Sequence, residues 1–183
     1  NALINAVRNG KSVTVIIELQ ARFDEETNVA LANQLQEEGA QVIFGVPGLK
    51  VHAKIGLITR QEKGKLSRYV FLGTGNLNED TGKLYTDHCL FTTDKKLTRE
   101  VDAVFEFLQD NYRVPAFKHL LVAPFTFRKR LVDLVTQEIK NAQNGIDAAI
   151  DLKLNNLTDP EMMALLYEAA NAGAKVRLNV RGM

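Results

Sequence analysis

His52 and Lys54 are the residues in this chain whose types and spacing best suit chemistry. They sit in Val51-His52-Ala53-Lys54-Ile55-Gly56-Leu57-Ile58, where Val51, Ala53 and Ile55 alternate with His52, Lys54 and Gly56. That is strand periodicity, and it places the imidazole and the ammonium on one face. Two such groups side by side are costly to bury unless an anion lies between them. An imidazole nitrogen can attack phosphorus, and the phosphoramidate it forms is reactive enough to pass the group onward. An adjacent ammonium neutralises charge on the transferring group. The stretch reads as a phosphate-handling site with His52 as nucleophile and Lys54 as its cationic companion.

More of such a site follows. Gly73-Thr74-Gly75-Asn76-Leu77-Asn78 comes after a second apolar run, and its small residues allow backbone and amides to approach a ligand closely. Thr74, Asn76 and Asn78 are candidate phosphate donors, and turn asparagines of purely local use are the plainer reading. The segment is not a Walker loop, because no Gly-Lys-Ser/Thr follows. Asp87, in Tyr85-Thr86-Asp87, either orients a base, assists magnesium binding or is a simple turn residue. Arg22 stands at a strand-to-helix junction, where a guanidinium can clamp phosphate oxygens bidentately. Arg181 ends a later strand and is a second candidate. A surface arginine is the alternative for both. His88 and His119 read as structural, and Glu18, Glu25 and Glu26 as caps and a strand-end polar group.

Composition bounds these readings. The chain has 183 residues, 45% hydrophobic and 25% charged, as in ordinary globular proteins. A net charge of only +1 argues against a broad nucleic-acid footprint. Cys89 is the single cysteine, so neither an intrachain disulfide nor a cysteine-based zinc site can form. The three histidines lack zinc-motif spacing. No signal peptide is expected from this stretch, and it contains no apolar run of about 18 residues. Both ends fall within what read as regular elements, so the expectation is a piece of a longer enzyme.

The elements that must position the site follow from periodicity and punctuation. Residues 1–10 read as a helix closed by Gly10, and Lys11 to Leu19 as a strand. Asp24 is placed to cap a helix that runs to about Glu38 and stops at Gly39. Val42-Ile43-Phe44 is the next strand, which suggests a right-handed βαβ unit. Pro47-Gly48 is a turn before the His52 strand. Arg60 to Lys65 is a hairpin tip, and Tyr69 to Leu72 the returning strand. Glu79 to Tyr85 is a loop or short helical turn, Thr86 to Thr92 a strand, and Leu97 to Gln109 an amphipathic helix. The pattern breaks at Asn111-Tyr112-Arg113-Val114-Pro115, and a domain boundary is expected near residue 119. Leu120 to Ala123 reads as a short strand, Phe127 to Ala142 as a helix and Ala148 to Leu154 as a strand. Thr158 or Asp159 caps the following helix, with Pro160 in its first turn, Glu161 completing a capping box with Thr158, and Gly173 ending it.

Residues 3–17 and 165–179 share the order helix, glycine, lysine, strand, about 162 residues apart. The rhythm suggests two related domains. Helix–glycine–strand connections are also common in α/β proteins, so ordinary recurrence is the other explanation.

Four stretches together resemble the long bacterial polyphosphate kinase family. They are Glu18 to Glu25, Pro47 to Lys54, Gly73 to Asn78 and Tyr85-Thr86-Asp87. The likeness continues through Asn111-Tyr112-Arg113 and Lys153-Leu154-Asn155-Asn156 to Val180-Arg181-Gly182-Met183. It covers essentially the whole chain, matching the third domain of that four-domain enzyme and the opening of the fourth.

The resemblance implies an α/β fold, with a phospholipase-D-like mixed β-sheet flanked by helices. It places one such domain at 1–119, bearing His52, and the first part of a second at 120–183. It implies reversible transfer of the terminal phosphate of ATP to polyphosphate, with Mg2+ as cofactor. By the same likeness His52 is the phosphorylated histidine, Arg22 lies in the phosphate and magnesium region, and Arg181 contacts phosphate. ATP, ADP and polyphosphate are the implied partners, with no nucleic acid. A homo-oligomer is expected of the full-length enzyme, in the cytoplasm, with peripheral association to the inner membrane as a further expectation. The second catalytic histidine of the family is expected beyond Met183, so this stretch alone is expected to be inactive as a polymerising kinase. The wider phospholipase D pattern has Asp six residues after the lysine; Arg60 stands there, a departure that polyphosphate kinases share. Two other readings stay open: a phospholipase-D-type phosphodiesterase or nuclease half-site, and a non-catalytic polyphosphate-binding module.

Overall fold

The computed structural model describes residues 1–18 and 25–182, and they form two compact units, Asn1–Leu120 and Leu121–Met183. The fold is mixed α/β, with sheets flanked by helices. Among the described residues, no helix is long and apolar enough to cross a membrane.

The first unit opens with α1 (Ala2–Arg8), β1 (Thr14–Ile17), α2 (Glu25–Glu37) and β2 (Gln41–Phe44). β1 and β2 pair in parallel, from Thr14 opposite Gln41 to Ile17 opposite Phe44. Ile4, Ile17, Ala32, Leu35 and Ala40 form the buried core of this half, with Val7, Val13, Val15 and Val42 packed against it. Gly39 closes α2 with φ +93°, a conformation that side-chain-bearing residues rarely adopt. Asp24, the expected cap of α2, lies outside the described residues.

Three antiparallel strands follow: β3 (Lys54–Glu62), β4 (Lys65–Gly73) and β5 (Cys89–Thr92), in that spatial order. Lys63 at φ 49° and Gly64 at φ 75° make the two-residue tip between β3 and β4. Two successive positive φ angles give the turn whose twist matches a hairpin. The charged tip expected over Arg60 to Lys65 is therefore narrower, because the ladder persists to Glu62 opposite Lys65. α3 (Glu79–Leu84) lies between β4 and β5, and α4 (Lys95–Gln109) follows. Asp94 caps α4 by accepting from the backbone N–H groups of Lys96 and Leu97. The helix covers one face of the sheet. Val101 and Val70 are buried there, and the Arg68 guanidinium donates to Asp102 at 2.7 Å.

Three expectations need correction in this unit. A single mixed sheet was expected. Instead, the parallel and antiparallel pairings of the described residues belong to two separate sheets, because β3 takes its pairing from β4 and not from β2. The strand expected from Val51 starts only at Lys54. Its partner β4 ends at Gly73 opposite Lys54, which leaves residues 51–53 without a ladder. The strand expected from Thr86 likewise begins at Cys89, opposite Gly73.

The second unit comprises α5 (Phe127–Gln143), β6 (Ala149–Asn156), α6 (Pro160–Asn171) and β7 (Lys175–Gly182). β6 and β7 pair in parallel, and the two helices bury Val135, Ile139, Ile150, Leu157, Met162, Leu166 and Ala169 against them. Asp159, rather than Thr158, caps α6 by accepting from Glu161 and Met162 N–H at 3.0 Å. Glu161 completes no capping box; its carboxylate takes the Arg128 guanidinium at 2.6 Å. Leu120 to Ala123 is not a strand. Val122 N–H donates to the Thr126 hydroxyl at 2.9 Å and Thr126 N–H returns to the Val122 carbonyl at 2.8 Å, so the chain turns into α5.

Candidate phosphate site on the three-stranded sheet

The site lies at the end of the sheet where β3 begins, β4 ends and β5 begins. Lys54, Gly73 and Cys89 form one row across the three strands. Strand alternation puts Lys54 on the face away from α4. His52 precedes the strand, yet its ring reaches Lys54: the ammonium lies 3.1 Å from Nε2 of His52 and 2.7 Å from the carbonyl oxygen of His52. The alternation in sequence thus put the two side chains together, although His52 is not in a strand.

The segment carrying His52 is held from several sides. Val46 and Leu49 bridge across the Pro47-Gly48 turn. The Asn111 amide donates to the carbonyl of Pro47 at 2.9 Å. Val51 N–H donates to the Glu18 carboxylate at 3.2 Å, one residue before the histidine. Sequence reading had Glu18 as a strand-end polar group and gave Asn111 no role. What it lacked was the distance in the fold, since these partners are 33 and 64 residues from what they hold.

Thr74 and Asp87 close the other side. The Thr74 hydroxyl donates to Asp87 Oδ1 at 2.9 Å and accepts from His88 N–H at 3.0 Å, while Thr74 N–H donates to the His88 carbonyl at 3.0 Å. This clasp joins the end of β4 to the approach to β5. Gly75 is required by it: a Cβ there would fall 1.9 Å from Asp87 Oδ2. The glycine makes room for a carboxylate of the protein itself.

Charge flows through this arrangement in a definite order. The Lys54 charge lowers the pKa of His52, with burial and Lys50 adding to the effect. Partial burial lowers Lys54, and the Asp87 carboxylate works in the opposite direction, keeping the ammonium charged. An ammonium can only donate, so Nε2 of His52 is its acceptor and the ring proton belongs on Nδ1. The imidazole is held neutral, with its one lone pair toward the cation.

The other predicted residues fall as follows. Asn78 serves α3, its side-chain oxygen accepting from Asp80 N–H at 3.0 Å. Asn76 is exposed on the loop after Gly75. Arg22 lies outside the described residues. Arg181 is exposed near the end of β7 in the second unit. Among the described residues no three His, Cys, Asp or Glu side chains converge to hold a metal ion. Asp87 is engaged by Thr74 and faces the Lys54 charge, so the described side chains do not by themselves make the oxygen set that magnesium takes.

An α/β protein with a neutral histidine beside a lysine is a class that suits phosphoryl chemistry, and the comparisons give the family. Residues 1–114 match Polyphosphate kinase C-terminal domain 1, and residues 120–183 match Polyphosphate kinase C-terminal domain 2. The chain is 50% identical over its whole length to the polyphosphate kinase of Escherichia coli (strain K12), covering 27% of that protein. It is also 50% identical to the polyphosphate kinase of Vibrio vulnificus (strain YJ016), covering 26% of it. The crystal structure of polyphosphate kinase from Porphyromonas gingivalis superposes with a TM-score of 0.86 at 36% identity, over 100% of this chain and 30% of that one. The chain belongs to the polyphosphate kinase family and corresponds to its C-terminal domains. It spans about a quarter of the length of these curated relatives.

Proposed function

We propose that this chain carries the phosphohistidine half of a phospholipase-D-like polyphosphate kinase, which moves the terminal phosphate of ATP reversibly onto polyphosphate. The observation that carries the reading is the pairing of neutral His52 with the Lys54 ammonium. Residues 1–119 are the catalytic domain in this reading, and 120–183 begin a second, related one.

The reaction starts when Lys54 leaves Nε2 for an oxygen of the arriving γ-phosphoryl group. That exchange frees the lone pair at the moment the anion needs the charge. Nε2 then bonds to the γ-phosphorus, the bond from that phosphorus to the β–γ bridging oxygen breaks, and ADP departs with its electron pair. Lys54 offsets charge that spreads over the equatorial oxygens. In the second half, a terminal oxygen of polyphosphate attacks the same phosphorus, the P–N bond breaks, and His52 regains its lone pair. Asp87 stays out of both steps and keeps Lys54 charged. Asn76 is proposed as a phosphate contact on its place beside the site, Arg22 and Arg181 on the family resemblance, while Thr74 acts through its hold on Asp87 and Asn78 through α3. Magnesium, when bound, would supply charge neutralisation on the nucleotide's phosphates.

The test is labelling of a chain of the relatives' full length that contains these residues. It is incubated with γ-labelled ATP, digested, and searched for acid-labile, base-stable phosphopeptides. Label on the peptide containing His52, and none in His52→Ala, is the expected result. Label elsewhere, or an active His52→Ala enzyme, overturns the assignment. Diester hydrolysis without use of ATP would favour the phosphodiesterase reading instead.

A further inference from the structure

Lys50 is an exposed cation two residues before His52, as Lys54 is a cation two residues after it. Two residues of chain span at most about 7 Å, so the Lys50 backbone starts no farther than that from the histidine's. The segment is tied down on both sides of Lys50. Val46 and Leu49 bridge just before it, and Val51 N–H donates to the Glu18 carboxylate just after it. The Lys50 charge is felt at the imidazole, where it joins Lys54 and burial in lowering the His52 pKa.

The two lysines differ in what occupies them. The Lys54 ammonium is engaged by Nε2 and by the carbonyl oxygen of His52, and the Asp87 carboxylate acts on its charge. Lys50 is exposed, and among the described residues no carboxylate forms an ion pair with it. A second ammonium without a carboxylate raises the local positive potential, which favours an anion carrying more than one charged group. In the proposed transfer, Lys54 goes to the transferred phosphoryl group. The phosphate on the far side of the transferred phosphorus has no cation from this segment, and Lys50 is the cation the segment still holds.

We propose that Lys50 binds that neighbouring phosphate, which is the terminal phosphate of ADP in one half-reaction and the terminal unit of polyphosphate in the other. The inference rests on the phosphohistidine reading and adds one residue to it. In-line displacement puts the leaving oxygen, and later the attacking oxygen, opposite Nε2. Both oxygens belong to the terminal phosphate of a phosphoanhydride chain, so one cation serves both partners. Lys50 does not have to leave the imidazole nitrogen before it binds, as Lys54 does. Its loss should therefore weaken the hold on both substrates more than it slows the transfer.

The experiment is single-turnover kinetics on a chain of the relatives' full length. Formation of label on His52 is followed against ATP concentration, and loss of that label against polyphosphate concentration. In Lys50→Ala both half-saturating concentrations should rise by about threefold to tenfold, the scale of one exposed charged contact, with maximal rates kept within about threefold. Lys50→Met, which keeps the stem, should match Lys50→Ala, and Lys50→Arg should restore most of the loss. Lys63→Ala removes an exposed lysine at the opposite end of β3 and should change neither concentration by as much as about twofold. An unchanged half-saturation for either substrate in Lys50→Ala, a loss confined to the maximal rate, or an equal rise in Lys63→Ala would each overturn the assignment. Thermal melts of each variant separate lost binding from lost folding. Absence of label on His52 in the unaltered enzyme would sink the kinase reading instead. Titration of the same chain with inorganic pyrophosphate then decides Lys50 without catalysis: weaker binding in Lys50→Ala keeps it as a phosphate ligand, and unchanged binding removes it.

Discussion

The Lys54 ammonium donates to the carbonyl oxygen of His52 at 2.7 Å and reaches Nε2 of the same residue at 3.1 Å. One cation therefore fixes the backbone, the tautomer and the charge state of the proposed nucleophile together. It also covers the nitrogen proposed to attack, and in that proposal the phosphoryl group draws Lys54 away from it.

That pairing has a pH signature. The Lys54 charge lowers the pKa of His52, so the imidazole stays neutral at pH values where a free histidine has begun to protonate. In that window the unfolded chain binds more protons at this position than the folded one, so stability attributable to His52 rises with pH up to the ordinary histidine value and falls below it. The rate of His52 phosphorylation should drop in acid with a midpoint below that ordinary value. Lys54→Met should move the midpoint upward, because the lowering charge is gone, and should slow phosphorylation by about 10²-fold through loss of one transition-state donor. A pH–rate profile of phosphoenzyme formation measures both. An unmoved midpoint would show that Lys54 does not set the titration.

Glu18 supports the histidine from behind. Its carboxylate accepts from Val51 N–H, beside His52. Glu18→Gln keeps an acceptor oxygen and should retain most activity. Glu18→Ala removes it and should lower the phosphorylation rate by about tenfold, the effect of a small misplacement of a reacting group. Orthophosphate affinity at Lys54 should change little. Equal losses in Gln and Ala would show that the hydrogen bond is irrelevant.

The site was legible where its grouping is local and illegible where it is long-range. Alternation paired His52 with Lys54 because two-residue spacing survives even where the strand does not. The returning strand that brings Gly73 opposite Lys54 was legible, but the reason for Gly75 was not. That glycine accommodates Asp87, and only the pairing of β4 with β5 brings the two together. Helices α1, α2, α4, α5 and α6 were legible from periodicity and from punctuation such as Gly39 and Gly173. The separation of parallel and antiparallel strands into two sheets was not, because strand propensity carries no information about which edges meet.

Leu35 is only 2% exposed, in the core shared by α1, α2 and the β1–β2 pair. Leu35→Ala should destabilise the fold by about 2–5 kcal/mol, the range for truncating a buried leucine in a core that relaxes incompletely. Val29→Ala on the same helix, at an exposed position, should cost well under about 1 kcal/mol. Denaturant titration of the two variants checks the contrast. Similar midpoints would mean that α2 does not pack as described.

The last prediction concerns the clasp. Thr74 donates to Asp87 Oδ1, and Gly75 leaves Asp87 Oδ2 the space it occupies. A methyl group at position 75 cannot coexist with that carboxylate at 1.9 Å, so Gly75→Ala must drive Asp87 away from Thr74. Moving Asp87 removes the influence that keeps Lys54 charged against its partial burial, and the Lys54 pKa should fall further. Three variants then form a matched set. Asp87→Asn keeps the shape and removes the charge. Thr74→Val keeps the charge and removes the donor. Gly75→Ala displaces both partners. All three should slow phosphorylation of His52, with Gly75→Ala at least as severe as Asp87→Asn, and the alkaline limb of the pH–rate profile should shift to lower pH in Asp87→Asn as Lys54 loses its proton earlier. Thr74→Val should leave that limb nearer its original place, because the carboxylate remains. The double variant Gly75→Ala/Asp87→Ala relieves the clash by removing the carboxylate, so it should fold as well as Asp87→Ala alone yet recover none of its activity. If Gly75→Ala alone retains full activity with an unshifted alkaline limb, Asp87 does not act on Lys54 from the position described.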